Sequence, residues 1–83
     1  VMEKDAATLT GLRIKAARVL TNLNQENFAE KFSFGYASVK NWELGGSIPR
    51  EDTVNKILGA FNDCGVDTTR DWLLFGLGSG HTH

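Results

Sequence analysis

Few residues break this chain, and where they fall leaves room only for short helices. Pro49 is the one proline, and glycines gather at Gly45-Gly46 and again between Gly76 and Gly80. Between these breaks apolar side chains recur at three- and four-residue spacing, and no useful length alternates apolar with polar residues as a half-buried strand does. The spacing predicts a first helix over about 8–21, with Thr8 or Thr10 as its cap and Leu12, Ala16, Val19 and Leu20 along it. Asn22 then suits the left-handed conformation that closes a helix. Asn24 is an N-cap for a second helix over about 25–32, with Gln25 and Glu26 in its first turn and Phe28, Ala29 and Phe32 inward. Ser33-Phe34-Gly35 interrupts it. A third helix over about 36–44 turns Val39 and Trp42 inward and stops at Gly45-Gly46. A fourth, about Glu51 to Phe61, has acidic residues at its dipole-positive start and Val54, Ile57, Leu58 and Phe61 at core spacing. Thr68 or Thr69 caps a short fifth, Arg70 to Phe75. The expected fold is all-α, five helices in one domain over residues 8–76, between a disordered segment 1–7 and a flexible tail 77–83.

Eighty-three residues with 41% hydrophobic content, five Phe and two Trp can build one small core and not two. Cys64 is the only cysteine, so neither a disulfide nor a cysteine-based zinc site supports that core. A lone cysteine also fits a reducing compartment. No apolar run approaches the roughly 18 residues of a membrane span, and Val1-Met2-Glu3-Lys4-Asp5 is too polar to begin a secretion signal. A cytoplasmic location without a membrane partner is expected.

The residue types offer little to catalysis. Cys64 has neither a helix N-terminal setting nor a histidine near it in sequence, and His81 and His83 stand in a Gly-rich tail ill suited to hold reacting groups in place. His81-Thr82-His83 supplies at most two ligands of an incomplete metal site. The expectation is a non-enzyme with no metal and no other cofactor.

Two short helices joined by three or four residues, the second closed by glycine, match a helix-turn-helix. The match extends to particular residues: Arg13-Ile14-Lys15 and Arg18 in the first helix, Leu23-Asn24-Gln25-Glu26 opening the second, and Ala29-Glu30-Lys31 inside it. Val39 and Trp42-Glu43-Leu44-Gly45 in the third helix, Pro49, and the closing Asp71-Trp72-Leu73-Leu74-Phe75-Gly76 continue it. From Gly11 to Gly76, about four fifths of the chain, the sequence resembles the lambda-repressor-like, Xre-type DNA-binding domains. Three positions depart from the family's habit. Ser33 stands where the turn often has Gly, Gly35 where the third helix often has a Ser or Thr cap, and Leu44 where a polar or basic residue is common.

Projected at 100° per residue, the third helix turns Val39, Trp42 and Glu43 to one side and Ala37, Lys40, Asn41 and Leu44 to the other, with Tyr36 at its edge. On an ordinary solvated face Lys40 and Asn41 would need no explanation; their place on this helix gives them meaning. The resemblance implies that Tyr36, Ala37, Lys40 and Asn41 face base edges of double-stranded DNA, and that Gln25, Ser38, Ser47 and Arg50 contact its backbone. It also implies an ion pair between Arg18 and Glu43, which fits the rule that a buried Glu needs a partner.

One such face reads only a few base pairs, so a homodimer on a two-fold site is expected. Trp72, Leu73, Phe75 and Leu77 offer more apolar surface than a short last helix can hide, and are the expected dimer interface. The functional expectation is a phage-type transcriptional repressor. Nine basic against ten acidic residues give a net charge of -1, which does not help phosphate binding, so the charges must be sorted in space. Two other readings share the fold: an antitoxin that binds DNA and a toxin partner, and a protein-interaction module that leaves DNA alone. A positive stripe along the third helix and the following loop would favour DNA.

Overall fold

Three helices open on a side chain that accepts a hydrogen bond from an otherwise unpaired first-turn N–H. Asp5 accepts from the Thr8 N–H at 2.8 Å, Asn24 from Asn27 at 2.7 Å and Thr69 from Trp72 at 3.2 Å. In the computed structural model, which describes residues 5–78, these caps launch α1 (Ala6–Leu20), α2 (Gln25–Phe32) and α5 (Arg70–Phe75). α3 (Tyr36–Leu44) and α4 (Glu51–Asp63) start at Gly35 and Arg50 without a side-chain cap. No strand occurs among the described residues. Asn22 takes φ 65° after α1, as its residue type suggests.

Two boundaries differ from the sequence expectation. α1 begins at Ala6 and not near Thr8, because Asp5 is a strong cap and Ala6 and Ala7 are good helix formers; these residues are therefore no part of a disordered segment. α4 runs on to Asp63, burying Ala60 as well as Val54, Ile57 and Phe61, while Leu58 is only partly buried. Residues 1–4 and 79–83, which include His81 and His83, lie outside the described residues.

The core is centred on Phe28. Its ring lies 5.1 Å from Phe32, 5.8 Å from Phe34 and 5.4 Å from Phe61, centroid to centroid, and Phe34 meets Trp42 edge-on at 5.5 Å. Contacts of this kind add about 0.5–1.5 kcal/mol per pair beyond the area buried. Ile14, Ala17, Val39, Val54, Ile57, Val66 and Leu73 complete the core.

α1 buries an unexpected side. Its inward residues are Thr10, Gly11, Ile14, Ala17 and Arg18, whereas Leu12, Ala16, Val19 and Leu20, which carry the helical spacing, point outward. The reason is close approach: a Cβ on Gly11 would collide with the carbonyl oxygen of Trp42 and lie 3.1 Å from that of Glu43. Only glycine lets the two backbones come so near. Arg13 then ties α1 to α5, its guanidinium donating to the Leu73 carbonyl at 3.3 Å. Leu73 itself is fully buried and so offers nothing to a partner, and Trp72 is half-buried against the core; of the four residues expected at an interface only Phe75 and Leu77 are exposed.

Candidate nucleic-acid interface

The turn between α2 and α3 fixes how α3 is presented. Ser33 sits at φ 61°, in the left-handed region that costs a non-glycine residue on the order of 1 kcal/mol. The Phe34 N–H then donates back to the Ala29 carbonyl at 2.8 Å, and the Phe34 ring pins the turn between Phe28 and Trp42. Ala29 is buried where α2 meets α3. At its other end α3 stops at Gly45, whose φ of 81° closes the helix; a Cβ there would come within 2.9 Å of the Thr8 backbone in α1. α3 is thus held at both ends and along its inner side.

That inner side carries Val39, Trp42 and Glu43, all buried. Glu43 would be costly there alone. Arg18 meets it with two parallel hydrogen bonds, Nε to Oε2 at 2.6 Å and a terminal nitrogen to Oε1 at 3.1 Å, and its remaining terminal nitrogen donates to the Leu23 carbonyl at 2.8 Å. Gln25 adds a third bond, Nε2 to Glu43 Oε1 at 3.1 Å. One carboxylate therefore joins α1, α3 and the first turn of α2. It also aims the Gln25 amide, whose second N–H remains for another acceptor.

α3 presents Tyr36, Ala37, Lys40, Asn41 and Leu44 to solvent on its outer side, and Ser38 is exposed on the flank next to Trp42. Lys40 Nζ lies 5.3 Å from the Tyr36 ring centre, a cation–π contact that holds the ammonium over the start of the helix. Asn41 Nδ2 donates to Ser47 Oγ at 2.9 Å, bracing the loop after α3. Arg50 follows at the head of α4, exposed, with no ion-pair partner among the described residues. Its neighbour Glu51 is held by Arg70, Nε to Oε1 at 2.8 Å and a terminal nitrogen to Oε2 at 2.8 Å. These bonds pull the Glu51 carboxyl below its ordinary pKa, and its charge is compensated by Arg70 before it reaches Arg50.

A family model described as helix-turn-helix, of the Xre and lambda-repressor type, matches residues 14–68. The chain belongs to this helix-turn-helix family. No curated protein and no solved structure matches it. A helix-turn-helix domain of this type is that of a DNA-binding regulator, and no helix among the described residues is long and apolar enough to cross a membrane.

Of the residues singled out from sequence, Tyr36, Ala37, Lys40 and Asn41 share the outward side of α3, and Ser47 is joined to it by the bond from Asn41. Ser38 instead lies round the helix, lining a cleft with Phe32, Trp42, Thr53 and Lys56, and Arg50 is exposed at the head of α4. Gln25 reaches α3 from α2 through Glu43. Two features escaped the sequence reading. Gln25 is the third member of the Arg18–Glu43 network, legible only as a polar residue opening α2. The other is charge sorting: from Ser33 to Arg50 the one acidic residue is Glu43, which is buried and paired. That run was open to inspection and the overall charge of -1 hid it. Leu44 stands largely exposed, an apolar side chain at the end of this surface.

Proposed function

We propose that this chain is a sequence-specific transcriptional repressor that binds a two-fold operator as a homodimer, with α3 in the major groove. The observation that carries this reading is the exposed side of α3 and the following loop, where from Ser33 to Arg50 the exposed charges are Lys40 and Arg50 and the one carboxylate, Glu43, is buried and paired. Glu51, next to Arg50, is paired with Arg70, and Asp52 is the exposed carboxylate that follows. The charge is thus sorted toward Lys40 and Arg50 along this stretch, although the chain as a whole carries -1. Tyr36, Ala37, Lys40 and Asn41 face base edges, the Ala37 methyl being suited to a thymine methyl. Gln25, Ser38, Ser47 and Arg50 hold phosphates.

The Asn41 amide has two N–H donors and one oxygen, so one N–H bonded to Ser47 leaves a donor and the acceptor for a bidentate adenine contact, worth roughly 1–3 kcal/mol of discrimination. Phe75 and Leu77, with the half-buried Trp72 beside them, contribute apolar surface to the dimer.

Selection of bound sequences from a random DNA pool tests this directly. An inverted repeat with half-sites about 34 Å apart, or a multiple of that, is expected; a pool that enriches nothing defeats the reading. On the selected site, Asn41→Ala should relax preference at one base with the salt dependence nearly unchanged. Arg50→Ala should weaken all sequences alike and lower the salt slope by about 1. A reporter whose promoter overlaps the site should fall when the chain is expressed.

A further inference from the structure

The outer side of α1 is apolar and left uncovered by the described residues. Leu9, Leu12, Val19 and Leu20 are between 36% and 56% exposed, and Ala16 lies exposed among them. At 100° per residue these five fall within an arc of about 100°, the width of the stripe by which an amphipathic helix faces its packing partner. The stripe is set roughly 140° round the helix from Gly11 and Arg18, the residues that meet α3. Using it therefore leaves the exposed side of α3 free.

We propose that this stripe pairs with the same stripe of a second copy of the chain, as two antiparallel α1 helices related by a two-fold axis at Ala16. The placement of residues is self-complementary, as an isologous contact requires. Leu12 and Leu20 stand four residues before and four after Ala16, so each Leu12 meets the other copy's Leu20, twice per dimer. Ala16 meets itself on the axis, where a methyl group lets the helices approach closely. Val19 stands opposite Arg13, whose aliphatic stem offers apolar surface while its guanidinium stays on the Leu73 carbonyl.

The area is adequate. Arg13 also lies against Gly76, so the end of α5, with Phe75 and Leu77 60% and 59% exposed, adjoins the stripe along that edge. Together these apolar side chains expose on the order of 500 Å², at the upper end of what a monomer leaves uncovered. A standard interface covers roughly 800 Å² per partner, most of the difference being polar rim. The pairing deepens the homodimer reading, supplying its main contact from α1, and does not rest on any DNA contact.

Sedimentation equilibrium without DNA provides the test. The unmodified chain should dimerise reversibly, and Leu12→Glu or Leu20→Lys should each raise the dimer dissociation constant by on the order of 100-fold, since each change enters the interface twice. Mixing the two variants should restore a mixed dimer, because Glu at one position then meets Lys at the other. Both sites are exposed, so the helical circular dichroism should not change. In a Cys64→Ser background, Ala16→Cys should form a disulfide-linked dimer under mild oxidation, and Glu30→Cys should not. A chain that stays monomeric at every concentration overturns the proposal. So do variants that dimerise undiminished, a mixture that does not pair, or a dimer in which Ala16→Cys fails to cross-link. DNA binding to a single half-site, measured on the same variants, fails only if the DNA reading is wrong.

Discussion

α4 and α1 are both amphipathic, yet they sort their side chains by opposite rules. α4 buries Val54, Ile57, Ala60 and Phe61 and turns Glu51, Asp52 and Lys56 to water. α1 buries a threonine, a glycine and an arginine beside Ile14 and Ala17, and leaves four large aliphatic residues outside. The difference lies in what each helix must do. α4 fills space around Phe28, where apolar volume is wanted. α1 must lie against the backbone of α3 and deliver Arg18 to Glu43, so closeness and charge select its inner side, and its apolar residues are left to other uses.

The largest effects should fall on that contrast. Phe61→Ala should cost about 3–5 kcal/mol in urea unfolding, since a fully buried ring is lost and a cavity remains. Leu20→Ala in α1, an aliphatic truncation on the exposed stripe, should cost less than about 0.5 kcal/mol in dilute monomer. Equal losses at the two positions would mean that the α1 stripe is packed in solution even without a partner.

Removing the charge that dictates α1's inner side should cost nearly as much. Glu43→Ala leaves the Arg18 guanidinium buried without its carboxylate, at about 3–5 kcal/mol, and frees the Gln25 amide it aims. The double change Arg18→Met with Glu43→Leu should recover most of the stability, because no charge is then stranded. It should not recover DNA affinity, if Gln25 serves the backbone contact. Recovery of both would reduce the network to packing.

How much of this the sequence disclosed follows from the same contrast. α2, α3 and α4 were legible because their caps, breaks and apolar spacing agree with their burial: Asn24 caps, Gly45 stops, and Val39 and Trp42 face in. The outward set on α3 followed from projection alone. α1 was placed along the chain, but its inner side was not legible, since no periodicity marks a helix that packs through glycine. Leu73 was misplaced for a related reason. α5 has only six residues, too few for spacing to tell its inner Leu73 from its outer Phe75.

Gly11→Ala probes the close approach itself. Alanine favours the helix by about 1 kcal/mol over glycine in an unpacked setting, but here its methyl meets the Trp42 carbonyl, a backbone atom that cannot turn aside. Overpacking of this kind costs roughly 1–3 kcal/mol, and the net should be destabilising. Thr10→Val, one position away, should do the opposite. Its hydroxyl is buried with no hydrogen-bond partner among the described residues, so an isosteric methyl should add about 1 kcal/mol in the same unfolding experiment. If valine destabilised instead, the inner side of α1 would need its polarity, and the rule drawn from its contrast with α4 would be too simple.

The smallest expected effect concerns the pair that joins α4 to α5, which lies wholly at the surface. Arg70 donates to Glu51 through two nitrogens, and these bonds lower the Glu51 pKa and raise that of Arg70. A carboxylate whose pKa is lower folded than unfolded adds stability above its unfolded value and loses it as pH falls through the folded one. The Tm difference between the unmodified chain and Glu51→Gln should therefore be small and constant near neutrality, and shrink below about pH 4, where glutamate ordinarily titrates. Salt should shrink it too, since both partners are exposed and the attraction between them is screened. The Asp5 cap, lowered chiefly by the Thr8 backbone N–H, loses its contribution in the same direction, so Asp5→Asn serves as the control that keeps the cap's acceptor without its charge. A Glu51→Gln difference that persisted unchanged at low pH and high salt would mean that the pair acts through side-chain packing between α4 and α5 rather than through charge.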